Sequence, residues 1–565
     1  MENRRFILLA VLGVLIFFIY QSWQTEHGPK PVLTPPDTVA AEATQARIDA
    51  DVPTIGGPAE AVPGNTPVMA RNARIAIVTD LFVGEVSTTG GDLRRLELIG
   101  YPLSKDQPDK NVPLLNDRDG HYFVLQSGVA GSDKALGSHL DEFVAAQTEY
   151  RMADGADTLD VPLTRIDAAG NQVTKTYRFY RGRYEVELIQ QVRNGSAEPL
   201  TASPYVRMVR TPVPIAEEPR FVHTFTGVGV YERKPNSDKY RFHKLSFDDI
   251  DDGAYAVEQQ GGWLAMLQHY FVAAILPPQD EVHKFDGKAA TDQRYVAQYL
   301  GATASIAPAG EQTFSTKLYL GPKLQDSIGK AAAGLELTVD YGFLTSISEL
   351  LFVVMEKLHK LTGNWGVAII LLTLIVKTVF YPLAAAQYRS TAKMRKFAPR
   401  IAEMKERYAG DRERMSKAMM DLYKKEGFNP LAGCWPLLVQ MPVFFALYWV
   451  FLESVELRQA DFALWINDLT SPDPFFVLPV IYGVSMFAMQ RMSGQTATMD
   501  PMQQKMMNVM PIALTGFFAF FPAGLVLYWC VSNLISIAQQ AYITAKIERD
   551  EKNGKPLIKA PKAGK

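Results

Sequence analysis

A single lysine interrupts a long apolar stretch in the carboxyl-terminal half of the chain. Lys377 lies within residues 371–380, about halfway along an apolar run over residues 365–386. Placing an ammonium group at that depth in a bilayer costs about 3 kcal/mol. The side chain should therefore face a protein interior or a wet cavity, or else extend along its own stem to the cytoplasmic headgroups. Thr373, one turn earlier, falls on the same helical face.

Uncharged polar residues occur in other apolar runs. Gln440 lies beside Met441, and Ser532 and Asn533 lie together in the last run. None of these runs contains Asp or Glu, so a buried ion pair with Lys377 or a carboxylate proton relay is not expected. Pairs of Ser and His, Asp and Asp, or His and Glu are also missing there, which argues against an intramembrane enzyme. The pattern predicts polar lining without catalytic residues, a metal ion or a cofactor.

The elements that must position these residues are predicted membrane helices. The apolar runs cover residues 6–20, 365–386, 431–452, 475–489 and 506–541. The last run is too long for one span, and Phe520-Phe521-Pro522-Ala523-Gly524 marks a turn in its middle. We predict a polytopic α-helical membrane protein with six transmembrane helices, of which five form a core over residues 363–545.

Charge separates the chain into two parts and orients it. Residues 24–340 carry 31 basic and 42 acidic side chains, a net charge of −11, and the remainder has a net charge of +9. The positive charge lies between apolar runs, so DNA is not an expected partner. Residues 389–426 hold 12 basic and 6 acidic side chains, and the tail at 546–565 is also basic. Both should be cytoplasmic, which requires an even number of spans and places the N-terminus inside with residues 24–362 outside.

The first 70 residues read as an anchor and a linker. Arg4 and Arg5 precede the apolar run, and no small-x-small cleavage site follows Tyr20. We predict an uncleaved transmembrane signal anchor at residues 1–23, with a cleaved signal peptide as the alternative. Residues 24–70 are rich in proline without apolar periodicity, which is typical of a linker.

Residues 71–340 predict an all-β sandwich. Short segments alternate with a period of two between Gly, Asn, Asp and Pro. Residues 75–83 read as one strand, and residues 176–180 and 184–190 read as a hairpin around Arg181-Gly182-Arg183. His223, His243 and His269 are scattered along this part of the sequence, so we expect structural or surface roles for them. The sequence does not decide whether the sandwich has a ligand pocket.

Two helical segments flank the first core span. Apolar residues at spacings of three and four from Leu344 to Leu361 predict an amphipathic interfacial helix over residues 341–362, with a core helix of the β domain as the alternative. Two apolar stripes around Gly410-Asp411 predict a cytoplasmic helical hairpin over residues 388–428. Its basic excess fits the positive-inside bias alone, or contact with anionic lipids, ribosomes or an incoming chain.

Several segments match the motifs of one family in order. They are GNWG at 363–366, KTVFYPL at 377–383, NPLAGC at 429–434, QMP at 440–442, DPMQQK at 500–505, FPAGL at 521–525 and, in the β part, GGWLAMLQHY at 261–270. The chain thereby resembles the YidC-type membrane protein insertases of Gram-negative bacteria. The resemblance implies an inner-membrane insertase and chaperone with a periplasmic domain. The implied partners are nascent inner-membrane proteins, the Sec translocon, the ribosome and membrane lipids.

The resemblance also implies roles for individual residues. Lys377 matches the family's single groove cation, which is usually arginine. Trp529 matches a groove-facing aromatic residue of the last helix, and Met441 and Phe517 match substrate contacts. A hydrophilic groove with this charge would hold an acidic residue of a substrate's tail while its apolar helix enters lipid. A small-solute transporter is the alternative, although it would normally show internal repeats and paired intramembrane charges.

Overall fold

The computed structural model describes most of the chain from residue 73 onward. The described ranges are 73–118, 121–132, 136–213, 224–290, 293–408, 411–425, 435–493 and 501–553. The predicted signal anchor, the linker, His223 and the end of the basic tail lie outside these residues. The same holds for the NPLAGC segment.

The first part of the described chain consists mainly of strands. They are β1 Arg74–Val78, β2 Phe82–Ser87, β3 Leu93–Ser104, β4 Gln107–Leu115, β5 Phe123–Ala130, β6 Glu149–Arg151, β7 Thr158–Ile166, β8 Gln172–Tyr180, β9 Glu185–Arg193, β10 Leu200–Arg210, β11 Gly227–Arg233, β12 Tyr240–Ser246, β13 Tyr255–Gln260, β14 Trp263–Leu267, β15 Phe271–Leu276, β16 Val282–Ala289, β17 Tyr295–Leu300, β18 Ala304–Ile306 and β19 Glu311–Pro322. One short helix, α1 Phe247–Asp252, separates β12 from β13.

The strands form two sheets that enclose an apolar core. One sheet has the order β13-β16-β17-β10-β5-β3-β2-β1-β6, with β18 beside β10 and β4 beside β3. The other has the order β12-β11-β14-β15-β19-β9-β8-β7. Alternate side chains of both sheets, such as Leu125 and Val206 from the first and Leu188 and Leu264 from the second, are buried in one cluster. The predicted all-β sandwich is therefore confirmed.

Local predictions within the sandwich had different outcomes. The hairpin around Arg181-Gly182-Arg183 is confirmed, because β8 and β9 pair antiparallel on either side of it. The single strand over residues 75–83 is wrong. The Thr79 hydroxyl oxygen accepts the Phe82 N–H at 2.9 Å, which closes a turn, and β1 and β2 pair antiparallel across it. A short side chain that bonds to nearby backbone N–H groups interrupts the strand although its neighbours alternate.

The rest of the described chain is helical. The helices are α2 Gln325–Ala331, α3 Thr345–Thr362, α4 Trp365–Val379, α5 Tyr381–Arg407, α6 Arg412–Lys425, α7 Trp435–Glu453, α8 Val477–Ser493, α9 Pro501–Phe518 and α10 Ala523–Lys552. A shared core joins α3, α4, α7, α8 and α10. Together, α4 and residues 381–392 of α5 are long and apolar enough for a membrane span by length and composition, with a bend of 65° between them. No single helix among the described residues meets that criterion.

Local signals determine where several helices begin and end. Gly363, in the left-handed region with φ of 69°, ends α3, and the Asn364 side chain accepts the Val367 N–H to cap α4. The run over residues 365–386 breaks at Phe380, because Pro382 has no N–H to donate to the Thr378 carbonyl oxygen and its ring clashes with that carbonyl, whereas Pro382 is tolerated in the first turn of α5. The last apolar run divides at Phe521-Pro522, where α9 and α10 are separated as the turn signal predicts.

Helix α3 belongs to the helical part and not to the sandwich core. Ser348, Phe352 and Met355 are buried on the side that packs against α4 and α7. Leu350 and Leu361 are exposed on the other side, at 64% and 81% of their surface. The helix is therefore anchored on the core while apolar side chains remain uncovered.

Candidate functional site

Lys377 lies in the last turn of α4 and is only 8% exposed. The predicted span is not one straight helix, because α4 ends at Val379, two residues after Lys377, and the chain bends there before α5. A cation in the last turn of a helix faces the partial negative charge of the free carbonyl groups. This position offsets part of the cost of burying the ammonium group.

The partner of Lys377 comes from α10. The ammonium Nζ donates a hydrogen bond to the Ser536 hydroxyl oxygen at 2.9 Å, and that hydroxyl donates to the Ser532 carbonyl oxygen at 2.8 Å. The Gln539 side-chain amide donates to the Lys377 carbonyl oxygen at 3.3 Å. We call Lys377, Ser532, Ser536 and Gln539 the lysine site. None of the carboxylates in the described part of the chain forms an ion pair with Lys377.

Two predicted polar residues lie close to this site in different ways. Thr373 is fully buried one turn before Lys377, and its hydroxyl donates to the Ile369 carbonyl oxygen at 2.7 Å. Its hydrogen bond is therefore satisfied within its own helix. Asn533 turns toward α8, where its side-chain amide donates to the Ser485 hydroxyl oxygen at 3.1 Å. The structure brings Ser532 into the lysine site and places Asn533 beside it.

The predicted aromatic contacts form a separate cluster. Trp529 is 9% exposed and stacks on Phe444 with ring centroids 5.2 Å apart, and its ring centroid lies 3.8 Å from that of Phe518. Phe517 is 56% exposed and touches Phe521 at 4.8 Å between centroids. Trp529 and Ser536 are separated by two turns of α10, or about 10 Å along its axis.

Gln440 and Met441 lie on α7, where both side chains are partly exposed. Neither residue forms a described side-chain hydrogen bond with the lysine site. The structure thus joins Lys377 to Ser532 through Ser536, with Thr373 one turn away on α4, and it places Trp529 and Phe517 in the separate aromatic cluster.

Sequence reasoning missed Ser536, Gln539 and Ser485. Ser536 and Gln539 follow Ser532 at spacings of four and three, so they share its helical face. That periodicity is visible in the sequence and extends the polar face by two turns. Ser485 had no such signal, since no other Ser, Thr, Asn or Gln lies within the apolar run over residues 475–489.

A second polar region joins the helical part to the sandwich. His269 Nε2 lies 2.9 Å from the Leu452 carbonyl oxygen, and burial lowers the pKa of His269 to about 3. Arg458 donates to the carbonyl oxygens of Pro102 and Leu103, and Lys105 Nζ lies 2.5 Å from Asp461 Oδ1. A cavity of about 740 Å³ lies between the two parts, next to these contacts. The connection from α7 to α8 is therefore docked on the β domain.

Known proteins match both parts of the chain. A family model described as the 60Kd inner membrane protein matches residues 357–551, and one described as the YidC periplasmic domain matches residues 74–354. The chain is thus an inner-membrane protein with a periplasmic domain. The model that matches the β part is named for YidC, and the full-length relatives have the same name.

The full-length relatives are membrane protein insertases by name. Membrane protein insertase YidC of Methylococcus capsulatus is 43% identical over 97% of this chain and 99% of its own length. That of Nitrosococcus oceani is 42% identical over 97% of this chain and 100% of its own. An active YidC insertase of known structure is 17% identical with a TM-score of 0.39, covering 83% of this chain and 92% of that one. The chain belongs to the YidC family of membrane protein insertases, and the transporter alternative finds no support.

Proposed function

We propose that this insertase moves the polar tails of nascent inner-membrane proteins across the bilayer through the region around Lys377. The observation that carries this proposal is a buried ammonium group whose partner is a neutral hydroxyl. A lysine kept for structure alone is expected to pair with a carboxylate, since an uncompensated buried charge is costly. Lys377 therefore keeps the capacity to bind an acidic group that arrives from outside the protein.

The aromatic and apolar surface of the helical part would receive the substrate's apolar helix. Phe517 and Val509 on α9 are both more than half exposed, and α3 exposes Leu350 and Leu361. Apolar surface of this kind is satisfied by lipid or by another apolar helix. In the proposed sequence, the acidic tail first meets Lys377, and burial of the substrate's apolar helix in lipid then supplies the free energy.

The proposal includes a topology and partners. Six spans, cytoplasmic termini and a periplasmic location for residues 24–362 follow from the charge distribution. The Sec translocon, the ribosome and anionic lipids are proposed partners, and the basic segment with α5 and α6 is their proposed contact on the cytoplasmic side. The proposed chaperone role of the protein rests on the exposed apolar surface of α3 and α9, which would hold a partly inserted helix.

Reconstitution tests the proposal directly. The purified protein in liposomes, without nucleotide, should insert a short single-span protein so that its tail becomes protected from external protease. Empty liposomes give the spontaneous rate, and liposomes holding the Thr378→Ala variant control for an altered span, because Thr378 lies on the exposed side of α4. Protection no faster than in empty liposomes would contradict the proposal.

A further inference from the structure

We infer that Ser536 is a specificity-determining residue for the charge of the substrate's tail, an inference that rests on the proposed function. Its hydroxyl occupies the place of the substrate's acidic group and holds the Lys377 ammonium ready in the free protein. The lysine site thereby favours tails that carry a carboxylate over tails that carry only neutral polar groups.

The geometry gives the Ser536 hydroxyl a defined direction. Its proton is donated to the Ser532 carbonyl oxygen at 2.8 Å, so a lone pair is left for the ammonium at 2.9 Å. Ser536 and Lys377 are 7% and 8% exposed, so water has little access to replace this contact. The Tyr388 hydroxyl also lies beside Ser536. With its proton on the Ser532 carbonyl oxygen, the Ser536 hydroxyl acts as an acceptor for the Lys377 ammonium.

The strength of this contact explains how the site would discriminate. A hydrogen bond from an ammonium to a carboxylate is roughly twice as strong as one to a neutral acceptor. A carboxylate of the substrate can thus displace the Ser536 hydroxyl, whereas a neutral side chain gains nothing by doing so. Without the hydroxyl, the flexible lysine stem is free to carry the ammonium toward the headgroups.

The Lys377 backbone is also held, which leaves the side chain as the moving part. Gln539 donates to the Lys377 carbonyl oxygen from the next turn of α10. The α4 helix itself packs against α10 through buried apolar residues such as Ile369 and Val526. An arriving acid would therefore shift the ammonium group between two acceptors without moving the helices.

The test measures the ratio of insertion rates for an acidic tail and for the same tail with its Asp and Glu replaced by Asn and Gln. Ser536→Ala should lower this ratio about threefold to tenfold, because the lysine stem, no longer held, carries the ammonium away from the place where a tail carboxylate meets it, and this loss outweighs the removal of a competing acceptor. Ser536→Cys keeps the shape of the side chain but supplies only a weak acceptor. The ratio for this variant should therefore fall as it does for Ser536→Ala. Ser536→Thr keeps the hydroxyl and should restore the ratio.

A carboxylate at the same position provides the opposite change. Ser536→Asp should pair permanently with Lys377 and bring the ratio to about one or below, because the internal acid competes with the substrate's acid. Thr378→Ala is the matched control, since Thr378 also donates its hydroxyl to its own helix, at 2.7 Å to the Leu374 carbonyl oxygen, but is exposed. Thermal unfolding in detergent should show that every variant compared is folded.

The outcomes separate this inference from the proposed function. If Lys377→Ala lowers the ratio while Ser536→Ala, Ser536→Cys and Ser536→Asp leave it unchanged, the inference is overturned and the proposed function stands. If Ser536→Ala and Ser536→Thr lower the ratio of insertion rates equally, Ser536 acts through packing alone and the inference is likewise overturned. If the native protein inserts neither tail, both fail together.

Discussion

The backbone N–H of Gln325 donates a hydrogen bond to Glu456 Oε1 at 3.0 Å and so joins the periplasmic domain to the connection between α7 and α8. The other carboxylate oxygen, Glu456 Oε2, is buried without a hydrogen-bond partner among the described residues. Burial, with smaller contributions from Glu356 and Asp326, raises the pKa of Glu456 to about 7. We therefore expect the protonation of Glu456 at this junction to change near neutral pH.

The first prediction is a loss of stability as the pH rises. Because the folded protein holds this proton more tightly than the unfolded chain, stability contributed by Glu456 is present at low pH and is lost as the pH rises toward and through about 7. The full effect is on the order of 3 kcal/mol. Glu456→Gln should make the stability of the protein less dependent on pH. Thermal unfolding from pH 5 to pH 8 checks this, and parallel curves for the two proteins would contradict it.

The second prediction concerns the charge of Lys377. Lys377→Arg should work, and Lys377→Ala should fold but insert acidic tails about tenfold more slowly, because the charged hydrogen bond is lost. Lys377→Glu should be worse still for acidic tails and should improve when the tail acids are replaced by Lys. Protease protection of the tail in cells depleted of the native protein measures each pair. An equal loss for acidic, neutral and basic tails would mean that Lys377 only hydrates or shapes the site.

The third prediction concerns how much of the β domain is dispensable. Replacing residues 74–320 by a short linker should retain at least half of the insertion rate, since the lysine site lies entirely in α4 and α10. Extending the deletion through residue 344 should abolish insertion. Val339 and Tyr341 are buried in the helical core, and the Tyr341 hydroxyl lies 3.2 Å from the Ser454 hydroxyl. Equal activity of the two deletions, measured in liposomes, would contradict this boundary.

The fourth prediction tests the close approach of α8 and α9. A Cβ added at Gly483 would lie 2.0 Å from Thr515 Oγ1, so Gly483→Ala should lower stability by about 2 kcal/mol. Gly516→Ala is the control, because a Cβ there meets no atom within 4 Å. Removing the hydroxyl with Thr515→Ala should rescue Gly483→Ala in a double-mutant cycle of thermal unfolding. Absence of rescue would place the strain elsewhere.

The fifth prediction separates packing from substrate contact at Trp529. Because its ring is enclosed by Phe444, Phe518 and Tyr482, Trp529→Ala should cost about 3 to 5 kcal/mol of stability, and Trp529→Phe much less. Phe517→Ala is the comparison, since that ring is more than half exposed and its loss should affect insertion more than unfolding. Reduced insertion by Trp529→Ala at unchanged thermal stability would assign the ring to substrate contact.

Patterns within short stretches of the sequence were enough for the organisation of the chain. Alternation with a period of two identified the sandwich, and Pro522 marked the break between α9 and α10. These features depend on local periodicity and on the restricted backbone of proline, and both can be read from residues that are adjacent in the sequence. The six-span count, the signal anchor and the two termini stay predictions from charge and apolar length.

Only the tertiary structure decided which residues meet. Lys377 was recognisable from its cost in an apolar run, but its partner Ser536 lies 159 positions away, and Gln325 and Glu456 are 131 apart. Such pairs depend on which faces of α4 and α10, or of the sandwich and the α7–α8 connection, pack together. A single sequence shows on which face of its helix a residue lies, but it does not show which other element packs against that face. The packing depends on how elements that are distant in the sequence bury one another's surfaces.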